Sequence, residues 1–136
     1  MAGYSDTPLV KKLGIKSGFN LAFVNSPEEF FDELTLPQDV SVNSRSTKPL
    51  DFVLLFVKRE AELKKKFAQF ARRLAPQGMI WIAWPKKSSG VTTDLYFTNV
   101  QAIGLATGLV DVKICAVNEV WSGLKFVVRL KDRKPA

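Results

Sequence analysis

The residues best equipped for chemistry gather in three short stretches. Trp84-Pro85-Lys86-Lys87 leads through Ser88-Ser89-Gly90 to Asp94; a turn from Asn118 to Gly123 carries Glu119 and Trp121; and Asn25 and Lys58 each follow directly on an apolar run. A tryptophan presents a broad apolar face and one polar N–H, which suits it to clamping a flat ligand or anchoring a peptide. Lys86 and Lys87 can hold an anion beside the start of the next helix, whose free N–H groups favour negative charge. Asp94, Glu119 and Lys113 are the available proton carriers, and Ser88 or Ser89 beside the lysines has the residue types of a Ser-Lys nucleophile pair. Each also has a plainer use. A tryptophan at a strand end covers the core, lysines in a polar loop are solvated, and Asp94 is an N-cap residue by type.

Much chemistry is excluded outright. The chain has no histidine and one cysteine, which removes Ser-His and Cys-His dyads, histidine-dependent metal sites and any intramolecular disulfide. Neither a metal nor a cofactor is expected. Cys115 lies in the apolar run 112–117 and reads as a small buried hydrophobe. The opening Met1-Ala2-Gly3-Tyr4 shows no basic segment followed by an apolar one, so the expectation is a cytoplasmic protein, with no apolar run of membrane-spanning length. With 20 basic against 13 acidic residues the net charge is +7, a field that attracts phosphates or acidic partners. Lys64, Lys65, Lys66, Arg72 and Arg73 on one helix, and Lys131, Arg133 and Lys134 in the tail, supply much of it without a recognised nucleic-acid motif.

The elements that must position these residues follow from periodicity. Thr7-Pro8 and Gly14 bracket a short helix over 8–13. Apolar strands are expected at 19–25, 52–57 and 79–84, the last two unbroken enough to be covered on both faces. Ser26, Pro27 and two glutamates start a helix over 27–34 with Phe30, Phe31 and Leu34 inward. Val40 and Val42 alternate as on a short edge strand, and 44–49 is a turn-rich loop. Leu63, Phe67, Phe70 and Leu74 share one face of a helix over 59–75. Asp94 or Thr98 caps the next helix, with Val100, Ile103 and Thr107 inward, Gly104 weakening its middle and Gly108 ending it. Strands at 109–117 and 124–130 form a terminal antiparallel hairpin, and 131–136 is a frayed tail.

At 136 residues one domain suffices, 1–136. Strands alternating with helices predict an α/β three-layer Rossmann-like sandwich with a mostly parallel six-stranded sheet, spatial order 2-1-3-4-6-5 and the last strand antiparallel. The order reverses between strands 1 and 3, so the loops after Val24 and Val57 form the crevice rim. In this arrangement Asn25, Lys58, Trp84, Lys86, Lys87, Asp94, Glu119 and Trp121 share one border of the sheet.

Lys12-Leu13-Gly14-Ile15-Lys16-Ser17-Gly18 before a strand, Leu74-Ala75-Pro76-Gln77-Gly78 before another, and the terminal hairpin resemble the class I S-adenosylmethionine-dependent methyltransferase fold. In that fold a glycine-rich turn after strand 1 admits the cofactor and an acidic residue ending strand 2 holds its ribose. Here the turn is Asn25-Ser26-Pro27-Glu28-Glu29 and strand 2 ends Asn43-Ser44-Arg45, with neither glycine nor carboxylate. Across nearly the whole chain, three further stretches resemble a small bacterial family, a domain of unknown function, which implies no activity. They are Tyr4-Ser5-Asp6-Thr7-Pro8-Leu9 with Lys12-Leu13-Gly14-Ile15; Trp84-Pro85-Lys86-Lys87 with Ser89-Gly90-Val91 and Thr93-Asp94; and Gly108-Leu109-Val110-Asp111 through Cys115-Ala116-Val117 to Trp121-Ser122-Gly123-Leu124-Lys125-Phe126.

The leading expectation is a non-catalytic binding module that engages an anionic small molecule or acidic partner at the Trp84-Lys86-Trp121 rim. A small enzyme using Asp94, Glu119 or Lys113 and a basic nucleic-acid-binding protein are the alternatives; a membrane partner is not expected.

Overall fold

A computed structural model of the chain describes residues 8–42 and 48–133. The expected N-cap Thr7, most of the 44–49 loop and the strand end Asn43-Ser44-Arg45 lie outside the described residues. The elements are α1 (Leu9–Leu13), β1 (Asn20–Val24), a 3₁₀ helix (Glu28–Glu33), β2 (Ser41–Val42), β3 (Leu50–Phe56), α2 (Glu60–Ala71), β4 (Leu74–Pro85), a 3₁₀ turn (Lys87–Ser89), α3 (Phe97–Ala106), β5 (Leu109–Ala116), β6 (Trp121–Val128) and a closing 3₁₀ turn (Leu130–Asp132).

The six strands lie in the order β2-β1-β3-β4-β6-β5, as the alternation of the sequence predicts. β1 to β4 run parallel; β6 is antiparallel to both its neighbours, β4 and β5. β3 and β4 are central because both their faces are apolar. Val53, Leu55, Ile80 and Ile82 project to one side, against Leu63, Phe67 and Phe70 of α2 and Val100 and Ile103 of α3. Phe52, Leu54, Phe56 and Trp81 project to the other, against Leu13 of α1, Ile15 and Phe30. Burial of each large α2 side chain contributes about 1.5 to 3 kcal/mol before chain entropy is subtracted. None of the described helices is long and apolar enough to cross a membrane.

The structure departs from the periodicity in several places. α2 stops at Ala71, and Leu74 opens β4 instead of closing the helix, because the Leu50 N–H bonds the Arg73 carbonyl at 2.7 Å and draws the chain straight into the sheet. The segment after β1 is a 3₁₀ helix without a side-chain cap. Ser26 Oγ has no hydrogen-bond partner, and Phe31 is 41% exposed rather than inward, stacked edge-on against Phe23. Thr107 is exposed and bonds back to the Gly104 carbonyl, so it does not join the inner face of α3. Gly104 does more than interrupt a helix. A Cβ there would overlap the Phe126 ring, so the bare backbone lets α3 settle onto β6. β5 is the edge strand that the predicted order makes it, with Val112 and Ile114 exposed, and Cys115, expected to be buried, is only half-buried.

Candidate functional site

The carboxyl ends of β1, β3 and β4 and the β5–β6 turn do meet along one border. The ladder puts Trp84 opposite Ser122 and Pro85 opposite Trp121, so the tryptophan-bearing bends are neighbours. They do not form a clamp. Paired residues share a face and consecutive residues alternate, so Trp84 points into the α2–α3 side and Trp121 into the α1 side. Trp84 packs among Val57, Leu95 and Ile82, whereas Trp121 stacks edge-on against Phe56 with ring centroids 5.0 Å apart. They are 5% and 8% exposed, so covering the core is the main work of both.

The rim is instead divided into two clefts. A strap, residues 91–95, crosses between them, pinned where Thr93 Oγ1 donates to the Lys58 carbonyl at 2.6 Å and the Asp94 N–H to the same oxygen at 3.3 Å. On one side, at the switch point between β1 and β3, Asn25, Lys58, Arg59, Glu29, Glu62 and Trp121 line a cleft of about 720 Å³. Asn25 is left-handed (φ 59°) and its Nδ2 donates to the Phe56 carbonyl and to Glu62 Oε2, both at 3.3 Å. The turn residue therefore lies across the strand ends. Asn118 Oδ1 accepts the N–H groups of Val120 and Trp121 at 2.9 and 3.0 Å, which closes the β5–β6 turn and holds the indole in place.

On the other side a cleft of about 610 Å³ is lined by Trp84, Lys86, Lys87, Tyr96, Phe97 and Ile114. Lys86 is fixed through its backbone, with its N–H on Val120 O at 2.7 Å and its carbonyl accepting Ser89 Oγ at 2.6 Å. Ser89 is thus committed to the turn and does not form a nucleophile pair. Tyr96 is 59%, Phe97 39% and Ile114 55% exposed. They give the cleft an apolar wall with no signal in the sequence, since only the fold brings the start of α3 and the β5 edge to one space.

The remaining candidates are scattered. Asp94 lines the second cleft, but its Oδ1 accepts the Glu60 N–H at 2.7 Å; it caps α2, not the following helix, whose start is closed by Asn99 Oδ1 accepting the Tyr96 N–H at 2.9 Å. Thr98 falls inside α3 and caps nothing. Glu119 and Lys113 line neither cleft. Lys113 Nζ instead donates to the Lys12 carbonyl at 3.1 Å on the α1 side. The three proton carriers proposed from the sequence do not converge.

No family model and no curated relative matches the chain. Solved structures do match its shape. A SAM-dependent methyltransferase from Aquifex aeolicus superposes with a TM-score of 0.62 at 15% identity, covering 89% of this chain and 88% of that one. A TehB-like SAM-dependent methyltransferase from Corynebacterium glutamicum gives 0.55 at 10% identity over 94% and 91%, and the fibrillarin pre-rRNA processing protein of Methanococcus jannaschii gives 0.57 at 12% over 93% and 70%. Strand order, the reversed sixth strand and these superpositions together show that the chain has the α/β Rossmann-like methyltransferase fold.

Proposed function

We propose that this chain is a non-catalytic binding module that takes a small anionic ligand with a flat or apolar body in the cleft between β4 and α3. The observation that carries the reading is that Lys86 and Lys87 open on the same cleft as the exposed Tyr96, Phe97 and Ile114, over a floor made by Trp84. Cations at one end and exposed apolar groups at the other match an amphipathic anion, and the volume falls in the range of small-molecule sites. The first turn of α3 borders the same space and adds a favourable field for negative charge.

The switch-point cleft, where the methyltransferase fold keeps its cofactor, does not suit S-adenosylmethionine here. The turn after β1 has no glycine, Pro27 has no N–H to offer, and the Asn25 side chain is bound across the gap to Phe56 and Glu62. The stretch 43–47 that follows β2 contains no carboxylate for a ribose. Fold without the binding residues is weak warrant for activity.

Anilinonaphthalene sulfonate, a flat apolar anion, is a direct probe. Fluorescence titration is expected to give one saturable site, weakened about tenfold by Lys86→Gln with Lys87→Gln, the loss of one or two charge-assisted contacts. Unchanged affinity removes the cleft from the account. S-adenosylmethionine at millimolar concentration is expected to leave the melting temperature unmoved; a rise would return methyl transfer to the leading place.

A further inference from the structure

On the opposite side of the molecule from the β4–α3 cleft, lysines of α1, the turn after it, β5 and β6 gather with no counter-charge among the described residues. Lys113 of β5 and Lys125 of β6 stand directly opposite each other in the ladder, on the face covered by α1. Lys12 of α1 reaches the Ala116 carbonyl at 3.1 Å, while Lys113 Nζ reaches the Lys12 carbonyl at 3.1 Å. Lys125 Nζ lies 3.8 Å from where a Cβ on residue 14 would stand, beside the turn that carries Lys16. Among the described residues no carboxylate is within ion-pairing distance of Lys12, Lys16, Lys113 or Lys125, whereas Lys64 on α2 pairs with Glu60.

Like charges directly across a ladder are destabilising, and no carboxylate among the described residues offsets this pair. Burial, followed by the Lys113 and Lys16 charges, pulls the Lys125 ammonium below the ordinary lysine range. A local rule broken with no counter-charge among the described residues points to an anionic partner outside the fold.

We propose that Lys12, Lys16, Lys113 and Lys125 form a binding site for a compact anion bearing adjacent phosphates, distinct from the cleft between β4 and α3. Lys113 and Lys125 meet across the ladder beside the turn that ends α1, while Lys12 extends toward the Ala116 carbonyl. Two facing lysines on one strand pair, with Lys16 on the adjoining turn, suit a di- or triphosphate group better than the extended backbone of a nucleic acid. Lys12 and Lys113 are each oriented by a backbone carbonyl, so the site is partly assembled before the anion arrives.

Inorganic triphosphate is the probe. Calorimetry on the full chain is expected to show one site, and triphosphate is expected to raise the melting temperature. Lys113→Gln with Lys125→Gln should weaken binding at least about tenfold while leaving the ligand-free melting temperature equal or higher, since repulsion is relieved. Lys16→Gln, on an exposed turn, gives the same direction of effect should the double variant fold poorly. Lys65→Gln on α2 is the charge control and should leave affinity within about twofold. Absence of binding, or an equal loss in Lys65→Gln, overturns the site. So does tighter, steeply salt-dependent binding of a short single-stranded oligonucleotide, which assigns the surface to nucleic acid instead.

Discussion

Trp84 and Trp121 lie one ladder position apart on adjacent strands yet turn their indoles to opposite faces of the sheet. One seals the layer under α2 and α3, the other the layer under α1, at the very border where the two clefts open. Each tryptophan therefore closes the core beneath a separate cleft. Replacing either by alanine removes a nearly buried side chain and leaves a cavity, at a cost of about 3 to 5 kcal/mol. Urea unfolding of Trp84→Ala and Trp121→Ala is expected to show both losses. A loss under about 1 kcal/mol would mean an indole free to serve a ligand instead.

Gly104 and Phe126 make the tightest helix-to-sheet approach among the glycines described. Helix propensity alone predicts that Gly104→Ala stabilises by about 1 kcal/mol. Because the new methyl would overlap one edge of the Phe126 ring, the expected result is the reverse, a destabilisation of about 1 to 3 kcal/mol. Adding Phe126→Leu, which withdraws the ring, is expected to recover part of it in a double-mutant cycle.

Asp94 acts at a distance of 34 residues by accepting the Glu60 N–H at the start of α2. Asp94→Ala is expected to cost about 0.5 to 2 kcal/mol, the usual range for a lost N-cap. Amide exchange should quicken first at Glu60. Normal protection there would show that the carboxylate does not hold the helix start.

Two groups on the α1 face titrate abnormally in opposite senses. Burial pushes the Cys115 thiol up, against the lowering pull of Lys12 and Lys113, so the thiol stays protonated and should alkylate more slowly in the native protein than in urea at mildly alkaline pH. Lys125 is held below the ordinary range, so in that window the unfolded chain binds its proton more tightly than the native one. Its charged form therefore costs stability at lower pH, and the cost fades as pH rises through the lowered folded value toward the unfolded one. Lys125→Met should abolish that rise in denaturant midpoints between the two values; an unchanged slope would place its origin elsewhere.

The order of the strands was legible because β3 and β4 are apolar on both sides and must be central, while Val42 alternates with polar neighbours and must lie at an edge. The short helix ending at Gly14, with φ 84°, was legible from local conformational preference alone. Asn25, Lys58 and the lysines after Pro85 were legible as rim residues, since the topology carries the carboxyl ends of the parallel strands to that border.

What the one-dimensional pattern left open depends on contacts between distant segments. Strand periodicity says that Trp84 and Trp121 each face one side, but only the β4–β6 register determines that the sides differ. Asp94 has the residue type of a cap for either helix, and the strap tied to the Lys58 carbonyl decides in favour of α2. The facing of Lys113 and Lys125 arises from the β5–β6 ladder, across twelve residues of chain. Residue type and local spacing decided which segments are strands and helices, because those forces act within a turn or a pleat. Side-chain partnership is decided where hydrogen-bonded ladders bring remote backbones together, and so belongs to the tertiary structure.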